Sequence, residues 1–228
     1  MAQARTLAQE SYLRLNSWPT RCVFMGMGEP LLNFDALCHS LRSLTAGPTA
    51  HLSWRKILVS TVGIPDRLKE LGRLRLALPA ISLHAPTQEL RDRLIPGAKK
   101  WPLTELLQTL RTYPHPGRER ITIEYILISD VNDSDKHARQ LYTALQDIRC
   151  KVNLIPCNPV IGNHWTPSSH ERVSQFAQQL KISGMTVFVR RGLGPEILAA
   201  CGQLQAAENG SGSLIPAAAS SLHDMERK

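Results

Sequence analysis

Short apolar segments rich in Val, Ile, Leu and Phe recur along this chain, and their composition predicts buried β-strands. The predicted strands are residues 21–27, 56–60, 76–82, 121–128, 151–155 and 186–190. Pro79 lies inside the third of these segments and argues against regular pairing at that residue, because proline has no N–H to donate to a neighbouring strand.

Amphipathic stretches with helical spacing separate the strands. Residues 3–15 have a weak helical pattern, whereas the stretch with Leu37, Leu41 and Leu44 on one face is strongly patterned. Asn33 or Asp35 could open that helix, and Gly47-Pro48 could end it. The other predicted helix signals are a helix over about 65–73, Pro102 in a first turn, Ser134 and Ser169 as caps, and Gly184 as a stop.

Strands alternate with helices at least five times along the chain. This order predicts an α/β protein made of right-handed βαβ units with a mainly parallel sheet. A barrel, a partial barrel and a doubly wound sheet all fit the pattern. Residues after about 205 are rich in Ala, Ser and Gly, and this composition predicts a flexible tail over 206–228.

The net charge is +8, with 27 Lys and Arg against 19 Asp and Glu. Such a balance favours a polyanionic partner, nucleic acid first, although a merely basic soluble protein has the same composition. The start of the chain has no apolar signal-peptide region, and no run approaches the roughly 18 apolar residues of a membrane span. We therefore expect a cytoplasmic protein that does not bind membranes.

The five cysteines are scattered along the chain, and none pairs with another at C-x-x-C spacing. Neither a disulfide framework nor a local metal-binding knuckle is predicted from them. The cysteines are Cys22, Cys38, Cys150, Cys157 and Cys201.

Polar residues follow four of the predicted strands. In parallel α/β folds the carboxyl ends of the strands form the ligand-binding edge, so these residues are expected to surround one ligand. They are Glu29, Ser60, Ser82 with His84, and Asn158. A carboxylate can bind an ammonium group, and Ser, His and Asn can bind hydroxyls and a carboxylate, which suits a small zwitterion bearing a sugar. Taken singly, each is more often a turn or structural residue.

Five segments together resemble the radical S-adenosylmethionine (SAM) methyltransferases of the RlmN/Cfr type. The segments are residues 26–33, 60–65, 81–86 with 89–92, 152–159 and 199–204. Members of this family methylate an adenine of 23S ribosomal RNA, and the housekeeping branch also methylates transfer RNA. Glu29-Pro30 after Gly28 is closer to the housekeeping branch, which methylates C2, than to the resistance branch, which methylates C8.

The resemblance implies roles for individual residues. Gly28 and Glu29 match the motif that binds the methionine amino group of SAM. The other matches to SAM-contacting positions are Ser60, Ser82, Leu83, His84 and Asn158. Cys201 matches the cysteine that one SAM methylates, and from which a 5′-deoxyadenosyl radical, formed from a second SAM, takes hydrogen. A small buried cysteine near a helix end is the alternative for Cys201.

The family's C-x-x-x-C-x-x-C loop has no match in this chain. In the family its three thiolates hold a [4Fe–4S] cluster ahead of the Gly-Glu-Pro strand, where this chain has only Cys22. The family's second catalytic cysteine, its proposed proton-accepting glutamate and its amino-terminal RNA-binding domain are also unmatched. We therefore expect no metal ligands here, and a partial parallel (β/α) barrel that lacks its first β/α unit.

Three accounts of this gap stay open: a fragment, which we favour, a degenerate paralogue, and one half of a split enzyme. The predicted division is a helical segment over 1–20, a partial barrel over 21–205 and a tail over 206–228. The predicted function is methylation of adenine C2 in 23S ribosomal RNA, with transfer RNA as a further target. The alternative is a catalytically inactive module that binds SAM or RNA.

Two further expectations concern surfaces. RNA phosphates would be met by basic residues that flank the strand-end motifs, although solvated surface charges look the same in sequence. The candidates are Arg91, Arg93, Lys99, Lys100, Arg190 and Arg191. The apolar strand at 21–27, left at an open sheet edge, predicts self-association of the isolated chain.

Overall fold

A computed structural model describes residues 2–26, 28–46, 52–115, 117–158 and 165–190, in which strands and helices alternate. The strands are β1 Cys22–Phe24, β2 Ile57–Thr61, β3 Leu78–Ser82, β4 Ile121–Leu127, β5 Cys150–Pro156 and β6 Val187–Val189. The α-helices are α1 Ala2–Leu15, α2 Phe34–Ala46, α3 Pro65–Leu74, α4 Gln88–Leu94, α5 Leu103–Arg111, α6 Asp135–Leu145 and α7 His170–Ile182. Short 3-10 turns lie at Pro30–Asn33, Trp54–Lys56 and Pro96–Ala98.

The six strands form one parallel sheet in the order β1-β2-β3-β4-β5-β6. This architecture confirms the predicted α/β class with a parallel sheet. Pro79 does lie within β3, where it pairs with Val59 of β2, while the pairing of β3 with β4 begins one residue later, at Ala80. The proline is therefore accommodated at a level where β3 pairs on one side only.

One face of the sheet is covered by helices, and the hydrophobic core lies between them. Alternate strand residues point into this core, among them Ile57 and Val59 of β2 and the fully buried Ile123 and Tyr125 of β4. The helices contribute their apolar stripes, which include Leu68, Leu106, Leu141 and Phe176. The intervening strand residues, such as Ser60, Ser82 and Glu124, point to the opposite face of the sheet, the open face.

The capping residues read from the sequence lie where they were predicted. The Ser134 and Ser169 hydroxyls accept hydrogen bonds from the backbone N–H groups of His137 and Arg172, respectively. Gly184 has φ +90° directly after α7, a left-handed conformation that glycine adopts without strain. Gly47-Pro48, predicted to end α2, lies outside the described residues.

A second, smaller apolar cluster closes the carboxyl ends of the central strands. It contains Ala85, Leu94, Ile95, Ala98, Ile128 and Cys157. Much of it comes from α4 and the turn after it, a helix that the sequence analysis did not predict, although the Thr87 side chain caps it. No helix of the described residues combines the length and apolar character needed to cross a membrane.

Candidate cofactor site

Glu29 lies at the carboxyl end of β1 and is tied to the end of β2. Its Oε1 accepts hydrogen bonds from the Thr61 hydroxyl at 2.6 Å and the Leu31 N–H at 3.0 Å, and its Oε2 accepts one from the Val62 N–H at 2.8 Å. The side chain is buried, and this desolvation raises its pKa, while the three hydrogen bonds act in the opposite direction. A carboxylate has about four acceptor directions, so one is left for a ligand.

Two glycines allow the backbone to approach this carboxylate. Gly28 has φ +87° immediately before Glu29, a conformation that residues with a Cβ rarely adopt. Gly63 has φ +90°, and a Cβ there would lie 2.5 Å from a methyl group of Leu106. The Gly63 N–H donates to Thr61 Oγ1 at 2.9 Å, which orients the Thr61 hydroxyl proton toward Glu29. The loop after β2 therefore presets the carboxylate.

Ser60 and Ser82 both lie on the open face of the sheet. The strand register places Ser60 beside Ala80, and Ser82 beside Glu124, so the two serines occupy neighbouring rows across the strands. Both are half-buried, and neither hydroxyl makes a hydrogen bond within the described part of the chain. These hydroxyls are therefore available to a ligand that lies on the open face.

Leu83 and His84 follow β3 and point in different directions. The Leu83 side chain is fully buried in the main core, so only its backbone can face a ligand. His84 has φ +56°, an unusual conformation for a residue with a Cβ, and its ring Nδ1 accepts a hydrogen bond from the Ile126 N–H at 3.2 Å. Because Nδ1 is an acceptor, the neutral ring carries its proton on Nε2, which is a hydrogen-bond donor.

Burial and the neighbouring Arg91 guanidinium lower the pKa of His84 to about 4. The ring is therefore neutral at physiological pH, in agreement with its acceptor role at Nδ1. Asn132, which is fully buried, fastens this corner: its side chain donates to the carbonyls of His84 at 2.9 Å and Ile126 at 2.6 Å, and accepts from the Ile128 N–H at 2.8 Å. Sequence reasoning did not single out Asn132.

The other predicted site residues lie at or beyond the limits of the described chain. Asn158 is half-buried two residues after β5, at the same end of the sheet as Glu29. Cys201 and Arg191 lie outside the described residues. The structure therefore brings Glu29, the two serines and His84 to the carboxyl ends of the neighbouring strands β1, β2 and β3, and Asn158 to the same end of β5, with β4 between. The role of each residue stays a prediction.

A second buried carboxylate, Glu124 of β4, was missed by the sequence analysis. It points to the open face next to Ser82, and its Oε2 accepts a hydrogen bond from Asn153 Nδ2 of β5 at 2.8 Å. Burial raises its pKa, while the Asn153 hydrogen bond and the charges of Arg190 and Lys151 lower it. The signal in the sequence is a lone glutamate inside an otherwise apolar strand, 121–128.

The described cysteines do not fit the ligand set of an iron–sulfur cluster. Cys38 and Cys150 are buried in the main core, Cys22 packs against it, and Cys157 belongs to the smaller cluster. Burial raises the pKa of all four thiols, which disfavours the thiolate form that ligates iron. Among the described residues no three His, Cys, Asp or Glu side chains converge as a metal site.

One predicted RNA contact is wrong. Arg91 is fully buried, and its guanidinium donates to the carbonyls of Val62 at 2.7 Å and Trp101 at 3.3 Å, so it cannot reach a phosphate. Arg91 thus has a structural role: it holds Val62, whose N–H donates to Glu29. Arg93, Lys99, Lys100 and Arg190 are exposed, and the Arg93 guanidinium lies 5.0 Å from the centre of the Trp165 ring.

The chain is similar to curated proteins that carry the name dual-specificity RNA methyltransferase RlmN. The protein from Nitratidesulfovibrio vulgaris strain Miyazaki F is 47% identical over 186 residues, covering 82% of this chain and 51% of the relative. The protein from Solidesulfovibrio magneticus is 46% identical over 190 residues, covering 83% and 54%, respectively. The chain thus spans about half the length of the curated relatives it matches. No protein-family model matches it.

Solved structures agree with this similarity. A radical SAM methyltransferase from Sphaerobacter thermophilus is 37% identical and superposes with a TM-score of 0.83, covering 89% of this chain and 59% of that one. A domain of a pyruvate-formate lyase-activating enzyme from Bacteroides vulgatus superposes with a TM-score of 0.58 at 20% identity, which shows a shared fold alone. The predicted fold, a part of the radical SAM (β/α) barrel, is confirmed by the first match.

Proposed function

Because the chain belongs to the RlmN family of radical SAM methyltransferases, we propose that the carboxyl end of its sheet binds SAM for the methylation of RNA. The observation that carries this proposal is Glu29: a buried carboxylate, preset by the end of β2, with one acceptor direction left. In this family, bound SAM supplies the methyl group and the 5′-deoxyadenosyl radical.

Glu29 accepts a hydrogen bond from the methionyl ammonium, whose positive charge also offsets the desolvation of the carboxylate. His84 donates from Nε2, because Nδ1 is held by the Ile126 N–H. Ser60 and Ser82 offer hydroxyls on the open face, and Asn158 an amide at the end of β5. Leu83, whose side chain is buried, offers only its backbone between Ser82 and His84. The predicted methyl carrier is Cys201.

The full reaction is proposed as methylation of adenine C2 in 23S ribosomal RNA, with transfer RNA as a second substrate. This would place the protein in the cytoplasm. The described cysteines do not fit the ligand set of the family's cluster. The proposed division is a segment 1–20, a barrel portion 21–205 that carries the site, and a tail 206–228.

The test is SAM binding by calorimetry with matched glutamate variants. Glu29→Gln replaces one acceptor by an NH₂ group that faces the Val62 N–H or the Thr61 hydroxyl, and it removes the charge that binds the ammonium. We expect at least a tenfold loss of SAM affinity, in line with about 1.5–3 kcal/mol for a charged hydrogen bond. Glu70→Gln, at an exposed position of α3, should bind as the wild type does. Equal affinities for all three proteins would refute the proposal.

A second candidate is a SAM-binding module without methyltransferase activity, and the separated cysteines favour it. The two functions differ in one assay, methyl transfer to a 23S ribosomal RNA transcript after anaerobic reconstitution with iron and sulfide. A SAM-dependent product that Cys201→Ala abolishes supports the enzyme. SAM binding with no product and no stoichiometric four-iron absorbance supports the module.

A further inference from the structure

The middle of the open face carries small and polar side chains. Leu58 and Leu78 lie on the same face nearer the start of the strands, and Ile126 and Ile155 lie on it nearer their ends. One row across the strands contains Ser60, Ala80 and Thr122, and the next row contains Ser82, Glu124 and Asn153. Small side chains leave space above the strands, so a flat ligand can lie against the sheet. The second row carries two strongly polar groups, Glu124 and Asn153, and continues to Phe188 of β6.

Among the side chains of these two rows, Glu124 is a charged group that is buried with few protein partners. The side chain is only 4% exposed, yet it forms no ion pair with a described residue. Its one side-chain hydrogen bond within the described residues is the one that Oε2 accepts from Asn153, so Oε1 has no donor there. Arg190 and Lys151 act on this carboxylate through their charges, without an ion-pair contact. Burying a carboxylate that lacks a hydrogen-bonded cation is costly, and such groups cluster at functional sites.

Glu124 and Glu29 lie far enough apart to contact opposite ends of one ligand. Glu29 is bound to the end of β2, whereas Glu124 lies on β4, two strand spacings or about 10 Å away. A ligand whose ammonium reaches Glu29 therefore extends over the open face and brings its other end to the row of Ser82, Glu124 and Asn153. That end is a nucleoside if the ligand is SAM.

We infer that Glu124 is a further binding residue of this site, which accepts hydrogen bonds from the vicinal hydroxyls of a nucleoside ribose, with Asn153 as its positioning residue. The inference rests on the proposed function, because SAM binding at Glu29 sets the direction of the ligand. The chemistry fits: a carboxylate is an acceptor-only group with several lone pairs, and a ribose presents two adjacent O–H donors. Ser82 supplies a neighbouring hydroxyl on the same row.

The experiment compares adenosine with 2′,3′-dideoxyadenosine as competitors of radiolabelled SAM. These competitors lack the amino acid part and differ only in the two hydroxyls. The wild-type chain is expected to prefer adenosine by about tenfold, the order of discrimination that one charged hydrogen bond supplies. Glu124→Gln should reduce this preference to threefold or less, while Glu29→Gln should leave the ratio unchanged and weaken SAM itself.

The controls separate folding from recognition. Glu124→Gln keeps an oxygen for the Asn153 amide, so it should unfold at the wild-type temperature or above. Asn153→Ala keeps the carboxylate but loses its orientation, and should reduce the preference to an intermediate value. An unchanged ratio in Glu124→Gln, with SAM binding still dependent on Glu29, overturns this inference alone. No SAM binding by the wild-type chain removes the proposed function as well.

Discussion

The two faces of the sheet are built from the same strands but from different chemistry. On the covered face, β4 presents Ile121, Ile123 and Tyr125, which are fully buried against the helices. On the open face, the same strand presents Thr122 and Glu124, with Lys151 and Asn153 of β5 beside them. Alternation along a strand thus places stability on one side and ligand-binding groups on the other.

Mutations at adjacent residues of one strand should therefore have different consequences. Substitutions on the covered face create cavities and cost free energy of unfolding, because helices cannot close in completely. Substitutions on the open face change ligand affinity and leave the core packing intact. Three predictions test this division, in order of decreasing effect.

The largest loss of stability is expected at Phe176, and Phe188 provides the matched control. Phe176 of α7 is fully buried and stacks on the Tyr125 ring with a centroid distance of 5.5 Å. Phe176→Ala should lower the free energy of unfolding by about 3–5 kcal/mol, the cost of a large cavity in a core. Phe188→Ala, on the open face of β6 where the side chain is 55% exposed, should change it by less than about 1 kcal/mol.

Urea-induced unfolding followed by circular dichroism measures both changes. If the two variants lose equal stability, Phe188 is covered in solution and the open face is not open. That result would point to a second chain, or to another part of this chain, packed over β6.

A smaller effect is expected at the corner that fastens His84. Asn132→Ala removes the acceptor of the Ile128 N–H and the donor to two carbonyls, all of them buried or half-buried. The unpaired groups should cost about 2–3 kcal/mol of unfolding free energy. Asn33→Ala, at an exposed asparagine, is the matched control and should be close to neutral.

The Asn132 substitution should affect ligand binding as well as stability, because the Asn132 side chain holds the His84 carbonyl in place. SAM affinity should therefore fall in Asn132→Ala even at temperatures where the variant is fully folded. Retained wild-type affinity in a folded Asn132→Ala protein would show that the conformation of His84 does not matter for the ligand.

The smallest effect concerns pH. The folded-state pKa of Glu124 is raised, so its favourable contribution to stability is complete below the unfolded value of about 4.3 and is lost as pH rises through the folded value. Glu124→Gln removes this loss. Its unfolding free energy relative to the wild type should therefore rise as the pH is increased from about 4 to 7.

Glu29→Gln provides the contrast. The pKa of Glu29 is also raised, but both of its oxygens accept hydrogen bonds from the protein, and an amide cannot replace both. This variant should be destabilised across the whole pH range, measured by urea unfolding at several pH values. Opposite signs for the two variants at neutral pH would support the assignment of Glu124 to a ligand and of Glu29 to both fold and ligand.

The covered face was predictable from the sequence, because it depends on local periodicity. Strands and helices were placed to within a few residues, and the capping residues Ser134 and Ser169 were identified from residue type alone. The short helix α4 was missed, since about two turns carry too little periodicity to stand out. In the structure, Leu94 of this helix packs into the smaller apolar cluster.

The site was predictable in part. Glu29 and His84 follow strand ends, and Ser60 and Ser82 are among the last residues of their strands. Sequence order alone brings such positions to one edge of a parallel sheet. Glu124 and Asn132 were not found, because their importance depends on register and on a loop that returns to His84. Arg91 was misjudged for the same reason: its burial comes from three segments that meet in space, and a basic residue in sequence looks like a surface charge.

The order of the strands has a consequence for how the protein is made. Each strand pairs with the next one along the chain, so no strand must wait for a distant partner. As the chain emerges from the ribosome, every new strand and helix finds a template in the unit just completed, and the loop that must close is short. We expect assembly to proceed from β1 towards β6 during synthesis. The half of the site at Glu29 would then be in place before the half at Asn153 has been translated.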